Sequence, residues 1–183
     1  MMSESEIIAA CLRGAEEDFK FLVDLYHGSL LAAAVNILGN REDAEDVCQE
    51  TFVQVYRNLS RFDQARSFKN WIFTILYRRS LDLLKKKRRF RSAFARAKYE
   101  VFPTGAVIPG NPCGKPGLSR KFLEHLSPKE RTALTLWANE GFTAAEISEV
   151  LRCSASTARV FLYNARKKIK ALLEKSHAAF EMD

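Results

Sequence analysis

Asp46, Gln49 and Glu50 stand at i, i+3 and i+4, so on a helix they share one side. Glu42, Asp43 and Glu45 lie just before them, where carboxylates meet the positive end of a helix dipole. Glu50 is too far along for that effect and needs another reason. Paired carboxylates can do general acid–base work, but no glycine-rich loop or basic partner accompanies these. They suit docking on a basic protein surface instead. Cys11, Cys48, Cys113 and Cys153 form no CxxC pair, and His27, His125 and His177 are equally scattered. A zinc site needs clustered ligands, so reduced thiols are expected, with no metal and no cofactor. Phosphate-binding, metalloprotease and nucleophile-elbow motifs are all missing, and nothing points to an enzyme or a catalytic residue.

Two further groups suit a polyanion. Phe62, Phe68, Trp71, Phe73 and Tyr77 interleave with Arg61, Arg66, Lys69, Arg78 and Arg79. Aromatics beside cations can stack unpaired bases while the cations hold the backbone. The competing reading makes Trp71, Ile72, Ile75 and Leu76 plain core. From Arg78 to Lys98 ten cations face a single Asp82, a self-repelling run unless a polyanion covers it. The other group follows Ser154, with Ser156, Thr157, Arg159, Tyr163, Asn164, Arg166, Lys167, Lys168 and Lys170. Small polar residues let a helix end approach base edges; Asn and Arg read bases, while Lys mostly neutralises phosphate.

Charge is partitioned to match. Residues 1–60 hold four Lys/Arg against eleven Asp/Glu, and residues 61–98 hold thirteen against two, within a net charge of +7. An acidic first third and a basic block imply two different partners. The acidic N-terminus lacks the layout of a signal peptide, and no apolar run approaches the length of a membrane span, so a cytoplasmic chain with no direct membrane insertion is expected.

The elements that position these groups read as helices throughout. Segment 103–117 holds four of the five prolines and four of the eight glycines and reads as a linker. Before it, a short helix spans about Glu4 to Arg13, and a long amphipathic helix runs from Phe19 to Leu38, closed by Gly39. Another spans about Glu42 to Leu59 with Ala44, Val47, Thr51, Val55 and Leu59 on one stripe. A further helix starts near Ser67 and runs to Lys85–Arg89. After the linker, Ser127-Pro128-Lys129-Glu130 and Thr143-Ala144-Ala145-Glu146 are capping boxes. Gly141 stops the helix between them, and Arg152-Cys153-Ser154 is a turn. A last helix runs from Ala155 to about Lys175, with Ala158, Phe161, Leu162, Ala165, Ile169 and Leu172 or Leu173 inward. A short helix, a tight turn and a longer basic helix over 143–173 form a helix-turn-helix. The fold expected is all-α: a helical bundle over 1–95, a linker over 96–122 that lets two domains sit apart on one ligand, and a helix-turn-helix domain over 123–183.

Asp-Ala-Glu-Asp-Val-Cys-Gln-Glu-Thr-Phe-Val-Gln-Val-Tyr (43–56), Phe-Lys-Asn-Trp-Ile-Phe-Thr-Ile (68–75), Leu-Ser-Pro-Lys-Glu-Arg (126–131), Ser-Thr-Ala-Arg (156–159) and Ala-Arg-Lys-Lys-Ile (165–169) together resemble a bacterial sigma factor of the extracytoplasmic-function group. The resemblance implies a sigma region 2 bundle that docks on the β′ clamp helices of core RNA polymerase through Asp46, Gln49 and Glu50. It implies opening and reading of the promoter −10 element by the loop and helix matching Phe62 to Lys87, with Phe62, Lys69, Asn70, Trp71, Thr74, Arg78, Arg79, Lys85, Lys86 and Lys87 as contacts. It implies a sigma region 4 domain, also a partner of the β flap, that reads the −35 element with Ser156, Thr157, Arg159, Val160, Tyr163, Asn164, Arg166 and Lys167. Most members of that group are held inactive by an anti-sigma factor. Two stretches depart from the family pattern. Ile75-Leu76-Tyr77-Arg78 stands where Ile-Ala-x-Asn is common, and Thr157-Ala158-Arg159-Val160-Phe161 where Thr-Val-Lys-Ser-Arg is common. Both bear on promoter preference rather than on the general role.

A stand-alone helix-turn-helix regulator is the alternative. Dimeric regulators usually carry an apolar dimerisation surface or a ligand domain, and this chain carries an acidic helix instead. A nonspecific RNA-binding scaffold would use only residues 78–98. Co-purification with core RNA polymerase separates the readings, since only a sigma factor requires it.

Overall fold

A computed structural model describes residues 3–96 and 120–180. Helix α1 (Glu4–Leu12) begins on Ser3, whose hydroxyl accepts from the Glu6 amide while the Glu6 carboxylate accepts from the Ser3 amide. Helix α2 (Phe19–Leu38) buries Leu22, Tyr26, Leu30, Ala33, Ala34 and Ile37, and ends on Gly39 at φ +71°, a left-handed conformation costly for any side chain. Its length and mean hydropathy of 1.5 over the best window would suit a membrane span. That corrects the expectation that no stretch comes close. Here Leu22, Leu30, Leu31, Ala32, Ala33, Ala34 and Ile37 of this stretch lie in the core, while Phe21 and Leu25 are exposed.

Asn40 starts α3 (Arg41–Asn58) by accepting from the Asp43 amide at 2.9 Å. The expected stripe Ala44, Val47, Thr51, Val55 and Leu59 is buried throughout. Helix α4 (Phe68–Arg96) begins where the Ser67 hydroxyl accepts from the Asn70 amide, and it buries Phe68, Ile72, Phe73 and Leu76. It continues past the basic run because Lys and Arg are good helix formers and neither Gly nor Pro interrupts them. The proline-rich segment 103–117 lies outside the described residues.

The second body comprises α5 (Arg120–Leu123), α6 (Pro128–Glu140), α7 (Ala144–Leu151) and α8 (Ala155–Phe180). Both capping boxes form, and Gly141 ends α6 at φ +72°. Arg152 takes the left-handed turn at φ 51°, and Ser154 caps α8 by accepting from the Thr157 amide at 3.1 Å. Glu130, whose side chain is 7% exposed, completes the first box and also receives Lys168 Nζ at 2.7 Å, tying α6 to α8. No strand is present among the described residues.

The two bodies do not sit apart. One apolar cluster runs from Leu22, Leu30 and Ile72 into Leu136, Phe142 and Ile147. Helices α2 and α4 carry apolar residues on a second side, and α6 and α7 cover it.

Candidate nucleic-acid interface

The acidic stripe forms as its spacing predicts. Asp46, Gln49 and Glu50 are exposed, while Val47, Cys48 and Thr51 between them are buried. Burial alone pushes the Cys48 thiol up to about 11, so it stays protonated and inert. Val53, one turn beyond Gln49 and Glu50, continues the stripe and is 46% exposed. An apolar side chain beside carboxylates on an open helix face is the makeup of a docking surface, and the sequence pattern alone did not single it out. Glu50 meets Arg79 at 3.8 Å, a loose exposed pair that a partner can displace.

Helix α4 divides the expected −10 residues into groups. Phe62 is 9% exposed and forms an aromatic cluster with Phe68 and Trp71, at centroid separations of 5.3 and 4.9 Å. The Phe62 ring thus has aromatic partners within the chain. Trp71 is only half-buried in the same cluster. Asn70 is 8% exposed and donates through Nδ2 to Glu149 Oε2 at 3.2 Å; its Oδ1 has no hydrogen-bond partner among the described residues. Lys69 Nζ donates to the Glu140 carbonyl at 2.8 Å and lies 4.9 Å from the Phe142 ring centroid. Thr74 donates back to the Asn70 carbonyl. Lys69 and Asn70 therefore both contact the second body; Asn70 is buried there, while the Lys69 side chain stays partly open to solvent. Arg78 is exposed; partial burial, with Arg152 nearby, lowers its pKa. Lys85 and Lys86 are exposed, and Lys87 pairs with Asp43.

Helix α8 keeps its faces separate. Ala158, Leu162, Ala165 and Ile169 are buried, and Ser156, Arg159, Val160, Tyr163 and Lys167 project outward. Val160 and Tyr163 are 52% and 65% exposed, bare side chains on a helix end held from behind. The Ser154 hydroxyl meets those of Ser156 and Thr157 at 2.8 Å, so Thr157 helps fix the cap. Asn164 is half-buried. Arg166 stacks over Trp137 with its guanidinium carbon 3.9 Å from the ring centroid, which orients it. Phe161 is half-buried under Lys129 rather than fully inward. Among the described residues no group of His, Cys, Asp and Glu could hold a metal ion.

An exposed acidic stripe, a basic-aromatic helix and an open helix-turn-helix face are the makeup of a DNA-binding transcription protein. Residues 22–90 match the Sigma-70 region 2 family and residues 120–169 match Sigma-70, region 4. The chain belongs to the sigma-70 family, with the region 2 and region 4 makeup of its extracytoplasmic-function sigma factors. It is 26% identical to the ECF RNA polymerase sigma factor SigW of Bacillus subtilis, over 88% of this chain and 91% of that one. It is 28% identical to the ECF RNA polymerase sigma factor EcfG of Rhodopseudomonas palustris, over 79% of each. Among solved structures it resembles CnrH in complex with the cytosolic domain of CnrY, with a TM-score of 0.70 at 26% identity over 94% of this chain and 97% of that one. It also resembles the sigma factor RpoE of Bartonella quintana in complex with the anti-sigma factor NepR, with a TM-score of 0.69 at 25% identity over 86% and 98%.

Proposed function

We propose that this sigma factor, acting in the cytoplasm, docks on the β′ clamp helices of core RNA polymerase through Asp46, Gln49 and Glu50, with Val53 as the apolar centre of the contact. Residues 1–95 open and read the −10 element with α4, residues 96–122 link the domains, and residues 123–183 read the −35 element with Ser156, Arg159, Val160 and Tyr163, while contacting the β flap. Lys85 to Lys87 hold duplex phosphates, and Arg166 and Lys167 do the same on the −35 side. The chain contributes binding and strand separation, with bond-making left to the polymerase. Two of its structural relatives are seen in complexes that include an anti-sigma factor or a cytosolic partner domain, which supports control of this chain by an anti-sigma factor.

The open acidic-apolar stripe on α3 carries this reading over a stand-alone regulator, because a repressor has no use for it. Its test is the double variant Asp46→Lys/Glu50→Lys. Core polymerase binding should fall by at least a hundredfold if both contacts are desolvated charge-assisted bonds of about 2 kcal/mol each. Helix content and −35 binding by the isolated chain should stay unchanged. Normal core affinity in this variant would remove the assignment.

A further inference from the structure

We infer that the free chain pairs with a second copy of itself, the basic end of α4 in each copy lying on an acidic-apolar patch at the start of α2 in the other. The tail is the last twelve residues of α4, Lys85 to Arg96, which hold seven Lys or Arg and no Asp or Glu. Phe90 stands among them, 57% exposed, with Lys86 and Arg88 exposed beside it. The patch is Phe21 and Leu25, 43% and 57% exposed, one turn apart on the same side of α2. Around it, residues 16–24 hold Glu16, Glu17, Asp18 and Asp24 against Lys20 alone. Lys20 Nζ lies 5.1 Å from the centroid of the Phe21 ring, so that ring already receives a cation.

One chain cannot join its own tail to its own patch. Helices α3 and α4 run antiparallel, with Arg79 against Glu50 and Lys87 against Asp43, so α4 leaves the bundle beside the start of α3. The residues from Lys87 to Arg96 carry it roughly 13 Å further out. The patch lies at the other end of the bundle, where Phe19 packs edge-on against Tyr56, near the end of α3, at 5.2 Å. Asp43 and Tyr56 are about 20 Å of helix apart, and the tail points away from the patch. Two copies laid antiparallel bring each tail over the other's patch and close as a pair. Opposite charge steers the approach, and Phe90 against Phe21 and Leu25 buries apolar surface that a lone chain leaves in water. A specific interface buries on the order of 1,000 Å², and the two-fold arrangement makes this contact twice. Lys85 to Lys87 belong to the tail, so pairing and duplex binding exclude each other. That last consequence rests on the phosphate role proposed above; the pairing itself does not.

Analytical ultracentrifugation of the full chain, purified free of nucleic acid, tests the pairing. At low salt the parent should move from its 20.8 kDa monomer toward twice that mass as concentration rises, and it should return to monomer at high salt. Leu25→Arg sets a cation opposite the tail, and Phe90→Glu sets an anion opposite the patch. Each removes an apolar contact and adds a repulsion, so each variant alone should pair at least about tenfold more weakly. Mixed in equal amounts, the two variants should pair again. One contact of the mixed pair is the parental one, and the other sets the new cation against the new anion. Damage to the fold could not produce that recovery. A parent that stays monomeric at every concentration, a pair unaffected by salt, or variants that pair as well as the parent would each overturn the inference. A mixture no stronger than its components would overturn it too, by showing that these two surfaces do not meet.

Discussion

Helices α4 and α8 are both long, basic and studded with groups that suit DNA, yet they are built on different plans. On α8 the buried stripe Ala158, Leu162, Ala165 and Ile169 carries the packing, and Arg159, Val160 and Tyr163 on the far side are free for a partner. On α4 the same stretch serves packing, domain contact and proposed DNA contact at once: Phe68 and Ile72 are core, Lys69, Asn70 and Phe73 meet region 4, and Arg78 and Lys85 to Lys87 are exposed. A helix that must only recognise duplex DNA can be rigid and exposed. A helix that must capture melted bases needs aromatic surface, and exposed aromatic surface invites another apolar partner until DNA arrives.

The sharpest way to break the comparison is to truncate at the shared position. Phe73 is 1% exposed, so Phe73→Ala should cost about 3–5 kcal/mol of stability and lower the melting temperature of the whole chain. Phe161, half-buried on α8 beneath Lys129, should cost only about 1–2 kcal/mol as Phe161→Ala, confined to the second body and without altering −35 preference. Equal losses from the two substitutions, read by calorimetry, would mean that the two helices carry packing alike.

The Glu130–Lys168 pair shows what holds α8 steady. Burial works to raise the Glu130 pKa, but Lys168 and the Ser127 amide and hydroxyl together bring it below the ordinary 4.5. A carboxyl depressed on folding adds stability above its unfolded value, and that stability is lost as pH falls through the folded one. The second body should therefore weaken on acidification below about pH 4.5. Glu130→Gln should lower stability at neutral pH by about 1–3 kcal/mol. It should also flatten the acid limb of a denaturation series, whereas an acid limb as steep as the parent's would place that pH dependence elsewhere.

What the sequence made legible follows the same division. Helix ends were readable because caps are local: Ser127 with Glu130, Thr143 with Glu146, and Gly39 and Gly141 lie within a few residues of what they terminate. The α3 stripe and the two faces of α8 were readable because one side is almost wholly apolar and the other mostly polar, with Val53, Val160 and Tyr163 as the exposed exceptions. The proposed −10 face on α4 was not, since aromatics and cations that suit bases are also those that fill cores and interfaces. Nothing near Lys69 or Asn70 announces that their partners lie 71 and 79 residues away. Phe142 could have raised the question. It sits just before the Thr143 cap, where an apolar residue usually staples its own helix, and here it also meets Phe73.

Base reading by α8 comes next in size. Arg159 is exposed on the outward face, in the second turn after the Ser154 cap, with the reach for a bidentate contact to guanine. Arg159→Ala should relax one position of a −35 library selection by about 1–3 kcal/mol of discrimination. Uniformly weaker binding with an unchanged sequence preference would make Arg159 a phosphate contact and leave Val160 or Tyr163 to read the bases.

The smallest effect separates two neighbouring cations of α8. Arg166 lies over Trp137, itself 44% exposed, while Lys167 is exposed on the next position. If both hold phosphate, losing either should weaken all −35 sequences alike and reduce the salt dependence of binding by roughly one counterion. Only Arg166→Ala should also lower stability, by about 0.5–1 kcal/mol, because it removes an exposed cation–π contact. Stacking on Trp137 fixes the guanidinium before DNA arrives, so Arg166 gives up less side-chain freedom on binding than Lys167 does. Arg166→Lys should accordingly weaken binding even though the charge is kept. Full binding by Arg166→Lys, measured by fluorescence anisotropy on a −35 duplex, would show that charge alone matters at this position and that the stacking serves only the fold.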